Sequence, residues 1–184
     1  MILPVYVYGH PVLRKVASEI TPEYPELNQL IENMFETMRK ADGVGLAAPQ
    51  IGYSIRLIVI DATATASEEK PDLIDFKKVL NNPQIINYEG EEWTYNEGCL
   101  SLPEIREDVN RPSKIRVRYF DENFDVFDQE FDGMRARIIQ HEYDHIEGKL
   151  FLDRLNPIRR RLISGKLKLI SKGKITPAYK IKTI

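Results

Sequence analysis

The chain has 184 residues, 42% of them hydrophobic and 29% charged, with a formal net charge of −2. A ~150-residue domain buries roughly 70% of its unfolded surface, so residues 1–184 are expected to form a single domain with a substantial core. No uninterrupted apolar run approaches the ~20 residues of a membrane span, and neither a membrane nor DNA is expected as a partner.

The opening stretch Met1 to Tyr8 lacks a basic lead, is broken by Pro4 and stops at Gly9 without a small-residue cleavage site, which predicts cytoplasmic residence. The lone cysteine, Cys99, agrees with a reducing compartment and leaves its thiol free. Gly9 to Lys15 reads as an extended arm with a turn, in which His10 has only turn chemistry. Thr21 and Pro22 resemble an N-cap and a first-turn proline. Leu27, Leu30, Ile31, Met34, Phe35 and Met38 then recur with helical spacing, so a helix is expected up to Gly43.

Gly43 to Gln50 (GVGLAAPQ) is a run of small residues expected to be a loop where backbone can approach a ligand; it carries neither the P-loop nor the dinucleotide glycine pattern. Arg56 to Asp61 predicts a buried central strand, and Ala62 to Asp75 an exposed loop. Val79-Leu80 and Gln84 to Tyr88 predict two short strands separated at Asn82-Pro83. Lys114 to Tyr119 alternates apolar and basic residues, and with Asp121 to Asn123 as turn and Val126 to Phe131 as return it predicts an antiparallel hairpin.

Gln140-His141-Glu142-Tyr143-Asp144-His145-Ile146-Glu147-Gly148 carries the chemistry. On a helix, positions i and i+4 share one face, so His141 and His145 can address one point, and Glu142 stands where a carboxylate could handle the protons of an activated water. Asp132 is placed to cap this helix, Met134, Ile138 and Ile139 to face the core, and Gly148 to end it. Two imidazoles lack a third ligand, and Cys99 in Glu97 to Pro103 (EGCLSLP) is the candidate. A nucleophilic role for Cys99 would need a base within reach, and the available imidazoles are better explained as ligands.

Asn156-Pro157 predicts the start of a last helix, with Ile158, Leu162 and Ile163 inward and the arginines outward. From Arg154 to Ile184 there are ten basic residues and no acidic one, so this segment carries +10 and the rest −12. Such a basic helix and tail over 155–184 can attract an anionic partner or simply be solvated.

The three segments GVGLAAPQ (43–50), EGCLSLP (97–103) and QHEYDHIEG (140–148), in this order, resemble the peptide deformylase family, and GHPVLRK resembles its opening. The likeness covers roughly residues 5 to 155; the differences are Ile146 where leucine is commoner, a longer 62–76, and residues 175–184 beyond the last helix. The resemblance implies an α+β fold, with antiparallel or mixed sheets around a central His-Glu-x-x-His helix and with N-terminal and C-terminal helices. It implies that Cys99, His141 and His145 hold one divalent metal, Fe(II) physiologically, with Zn, Ni or Co able to take its place. It further implies hydrolytic removal of formate from the N-formyl-methionine of newly made polypeptides. Glu142 would carry protons, and Gln50 and the Leu100 backbone N–H would meet the oxyanion.

Val44 and Gly45 are expected to bind substrate backbone, and Met134 and Ile138, with Tyr95 and Val44 beside them, to wall a methionine pocket. Glu97 and Arg106 are expected to pair beside Cys99, and the basic tail to meet ribosomal RNA. Two rivals stand against this reading: a zinc endopeptidase sharing the two-His helix, and a binding module with a closed structural metal site or a member that has lost activity.

Overall fold

The computed structural model describes residues 1–184. Its elements are β1 (Val5–Tyr6), α1 (Leu27–Lys40), β2 (Gly45–Ala47), β3 (Leu57–Asp61), β4 (Lys77–Cys99), β5 (Leu102–Phe120), β6 (Val126–Asp132), α2 (Gly133–Ile146), α3 (Pro157–Leu162), α4 (Ser164–Ser171) and β7 (Ile181–Lys182). Strands β2-β3-β4-β5-β6 form one antiparallel sheet in that order, and β1 pairs with β7 in parallel. No helix is long and apolar enough to cross a membrane.

Helix α1 buries Leu27, Leu30, Ile31, Met34, Phe35 and Met38, the stripe its spacing predicts. It starts at Leu27 and not after Thr21, because residues 21–24 close a turn (Tyr24 N–H to Thr21 O) and Pro25 disfavours helical backbone at the residue before it. The segment 43–50 is more regular than the expected loop. It enters the edge of the sheet as β2 and then turns through a short 3-10 stretch, Ala48–Ile51.

The two short strands expected around Asn82 are one long strand. Asn82 takes φ +48°, and its side chain bonds both the N–H and the carbonyl of Ile20, so the chain bulges there without ending its pairing. On β5 the odd positions Ile105, Glu107, Val109, Arg111, Ile115, Val117 and Tyr119 are all buried. That is the period of two of a strand with one face on the core.

Helix α2 lies against β2, β3, β5 and β6 and is buried along most of its length. Asp132 precedes it as expected but makes no side-chain cap bond; Gly148, at φ +69°, follows its end.

The C-terminal region departs most from expectation. The chain breaks at Ile163 into two short helices, and Ile158 and Leu162 are 73% and 68% exposed, while Ile163 is half-buried and Leu167 and Ile170 are buried. The reason is Arg159. Its guanidinium reaches inward to the buried carboxylate of Glu107 at 2.7–3.0 Å, and this turns the Ile158 and Leu162 side outward. Expected outcome: Ile170→Ala costs about 2–4 kcal/mol in urea unfolding, whereas Ile158→Ala stays within about 0.5 kcal/mol. Equal losses would contradict this packing.

Candidate metal centre

Three segments remote in sequence converge at one cleft of about 530 Å³. Strand β4 ends at Cys99, α2 brings His141 and Glu142 with the buried His145 one turn on, and the β2 segment brings Gly45 and, just after it, Gln50. The sulfur of Cys99 and nitrogens of His141 and His145 all lie within 4.8 Å of one another, with Cys99 Sγ 3.3 Å from His145 Nε2. Donors about 2.0–2.3 Å from one tetrahedral ion are about 3.5 Å apart, so the set fits a single divalent cation.

The ring nitrogens are prepared for this. His141 Nδ1 bonds Glu97 Oε2 at 2.8 Å, which leaves Nε2 for a ligand role. Burial pushes the His145 pKa well below the ordinary imidazole value, and neighbouring His141 adds to the shift; both favour the uncharged ring that a ligand requires. The Glu142 carboxyl is almost fully enclosed, and its Oε2 has no hydrogen-bond partner in the protein. Burial pushes its pKa up to about 7, with His141 opposing. Gly45 makes room for it: a Cβ there would lie 2.5 Å from Glu142 Oε1.

Gln50 is buried with Oε1 on the Ala47 N–H at 2.9 Å, so its amide group points at Cys99 Sγ (3.6 Å) and Ser101 Oγ (3.3 Å). The side chain of Leu100 covers Gly43, where a Cβ would meet Leu100 Cδ1 at 2.9 Å. Val44, Gly45, Tyr95, Met134 and Ile138 all line the cleft, as do Gln50, Leu100 and Glu142. The 62–75 stretch is not merely exposed: Leu73 is buried, and Thr65, Lys70 and Leu73 form part of the wall, with Lys70 Nζ 3.2 Å from the Tyr95 hydroxyl.

Glu97 and Arg106 do not pair. They sit on opposite faces of the β4–β5 ladder, since Glu97 is opposite Glu107 and Arg106 is opposite Gly98. Arg106 crosses over Gly98 to bond Asn96, whereas Glu97 turns inward to His141, Arg111 and Arg137. Burial alone would raise the Glu97 pKa, but hydrogen bonds from His141 and Arg111 hold it well below the usual carboxylate range. Arg111 continues to Asp144, which also accepts from Nε and Nη2 of Arg154, each at 2.8 Å.

Reading the sequence missed Arg111, Arg137, Asp144 and Arg154. The available signals were the inward parity of Arg111 on β5 and the helical spacing of Arg137 and Asp144 from His141. It also missed Tyr179, whose hydroxyl donates to the Leu100 carbonyl at 2.8 Å; no motif marks it.

A model of the family described as polypeptide deformylase matches residues 2–161. The chain is 52% identical to a peptide deformylase of Christiangramia forsetii, over 99% of this chain and 96% of that protein. It is 51% identical to one of Flavobacterium johnsoniae over the same shares. Among solved structures, a peptide deformylase from Legionella pneumophila superposes with TM-score 0.82 at 37% identity, over 95% of this chain and 98% of that one. An Acinetobacter baumannii class I type b peptide deformylase, crystallised with Met-Ala-Ser bound, superposes with TM-score 0.77 at 34% identity, over 84% and 99%.

Expected outcome of Glu97→Ala: a loss of about 3–5 kcal/mol in urea unfolding, because two buried arginines lose their shared anion. Chelator competition should show metal affinity weaker by about 10- to 100-fold, since His141 loses its orienting acceptor. A variant within 1 kcal/mol of wild type with unchanged affinity would contradict the role given to Glu97.

Proposed function

The chain belongs to the polypeptide deformylase family, an α+β metalloenzyme family, and it removes the formyl group from the N-terminal methionine of newly made polypeptides; on that premise we propose how its residues do so. The observation that carries the proposal is the convergence of the Cys99, His141 and His145 donors within 4.8 Å beside the enclosed, unpartnered Glu142 oxygen. Cys99, His141 and His145 would hold one divalent cation, which we take to be Fe(II) from the family likeness. The thiolate and imidazole donors also accept Zn, Ni or Co. Such a cation supplies Lewis acidity, which makes water a nucleophile near neutral pH.

Glu142 accepts the proton of the water that attacks the formyl carbon. It then delivers that proton to the methionine nitrogen as the C–N bond breaks, releasing formate and a free amine. The developing oxyanion is met by the Leu100 backbone N–H and by one Gln50 N–H, which exchanges its weak contact with sulfur for the stronger acceptor. Gln50 is suited to this because its other amide atom is anchored on Ala47. Buried Glu97 fixes the plane of the His141 ring.

Substrate backbone adds along β2, which pairs with β3 on one edge only and leaves Val44 and Gly45 facing the cleft. The tripeptide Met-Ala-Ser bound to the Acinetobacter relative supports a substrate of this class. Half-buried Met134, with Val44, Tyr95 and Ile138, offers a deformable apolar wall for the methionine side chain. We read residues 1–184 as a single catalytic domain packed around α2, acting in the cytoplasm. An endopeptidase is not favoured, because Cys99 serves as third donor and the motif set is that of the deformylases.

We also propose that the C-terminal segment meets ribosomal RNA. Arg154, Arg159, Arg160 and Lys166 pair with acidic residues of the body, so Arg161, Lys168, Lys172, Lys174, Lys180 and Lys182 remain without ion-pair partners. The same segment also buries Leu167, Ile170 and Ile175, so it is part of the core as well as a basic surface.

Glu142→Gln is expected to lower formate release from formyl-Met-Ala-Ser by at least about 10²-fold with one metal per chain retained. Gly45→Ala, which displaces the same carboxylate, is expected to cost about 10²-fold. Full activity in Glu142→Gln, or efficient cleavage of an internal peptide bond by wild type, would overturn this reading. Reversing Arg161, Lys168 and Lys172 to Glu is expected to weaken ribosome binding and flatten its dependence on salt; unchanged binding would remove the tail from that role.

A further inference from the structure

The residues beyond α4 do not trail away from the molecule. Ile175 is buried with Val7, Leu102 and Ile105, and β7 lies alongside β1, with Val5 N–H on the Lys180 carbonyl and Val7 N–H on the Lys182 carbonyl. This returns the chain to the cleft, where Tyr179 forms part of the wall and donates its hydroxyl to the Leu100 carbonyl at 2.8 Å.

Leu100 and Ser101 make the turn between β4 and β5, the place where the backbone leaves the ladder immediately after the metal-binding sulfur. Three remote segments hold this turn. Tyr8 N–H bonds the Ser101 carbonyl at 2.9 Å, Gln50 bonds the Ser101 hydroxyl at 3.3 Å, and Tyr179 bonds the Leu100 carbonyl. The first two act on Ser101. Only Tyr179 acts on Leu100 itself, through the carbonyl of the residue whose N–H faces the oxyanion in the mechanism above.

We propose that Tyr179 is a positioning residue for deformylation. Its hydroxyl fixes the Leu100–Ser101 peptide plane, which restricts rotation about the Leu100 Cα and so limits how far the adjoining Cys99–Leu100 plane, which carries the Leu100 N–H, can turn away from the developing oxyanion; this makes the C-terminal segment part of the active site. The inference rests on the assignment of the Leu100 amide as an oxyanion donor. A donor that must rotate into place in the transition state gives less stabilisation than one already aimed, so the loss falls on kcat more than on KM.

The test is Tyr179→Phe, which removes one oxygen and keeps the ring that lines the cleft. Its effect on the backbone is read directly, because Leu followed by Ser occurs once in the chain, at Leu100-Ser101. Zinc-loaded protein carrying carbonyl-13C leucine and 15N serine therefore gives a single correlated signal in a carbonyl-to-amide NMR experiment. The expected result is an upfield shift of the Leu100 carbonyl and a kcat about tenfold lower, with KM for formyl-Met-Ala-Ser within twofold and metal content unchanged. An unmoved carbonyl signal, or a kcat within twofold of wild type, overturns the role of Tyr179. Gln50→Leu separates the two levels: a slow Gln50→Leu beside a fully active Tyr179→Phe overturns Tyr179 alone, and full activity in both overturns the oxyanion site on which the inference rests.

Discussion

A carboxylate with almost no access to solvent holds this molecule in register. Glu97 is 4% exposed and receives Arg111 on two nitrogens, Arg137 on one and the His141 ring on another. Burying an anion is costly unless charged donors surround it, so these four side chains can adopt few other arrangements. The effect is on geometry more than on net stability. Strand β4, strand β5 and helix α2 are each tied to the same two oxygens, and those are the elements that carry or flank the metal donors. Through Arg111 the constraint passes to Asp144, one residue before His145, and from Asp144 to Arg154, where the basic C-terminal region begins.

The second requirement is space beside the donors. Helix α2 can press Glu142 against β2 only because residue 45 has no side chain, and Leu100 can lie over the loop only because residue 43 has none. The two glycines thus do different work within one short motif: Gly45 admits the Glu142 carboxylate and Gly43 admits the Leu100 side chain. The outer edge of β2 has no strand partner, so the peptide strand proposed above would find free backbone groups there.

Much of this was legible in the sequence. The stripe of α1, the His-Glu-x-x-His face of α2, the hairpin from Lys114 to Phe131 and the joining of Cys99 to two imidazoles follow from spacing and donor chemistry. Other features lay beyond local pattern. The exposure of Ile158 and Leu162 depends on Glu107, a buried acid fifty residues away whose need for Arg159 outweighs the burial of two apolar side chains. The pairing of Glu97 with Arg111 and not Arg106 depends on the β4–β5 register, which a bulge between Gly98 and Cys99 sets. Tyr179 reaches the site through β7 pairing with β1, a contact between the chain's two ends that no short window reveals.

The central claim is one cation on one sulfur and two imidazole nitrogens, with the Glu142 carboxylate beside it and not bound to it. X-ray absorption at the metal edge of zinc-loaded protein tests this most directly. The account predicts one sulfur scatterer at about 2.3 Å and light scatterers at about 2.0–2.1 Å that include two imidazoles, in a spectrum that Glu142→Gln leaves unchanged. Absence of the sulfur shell, or a first shell altered by Glu142→Gln, would contradict it.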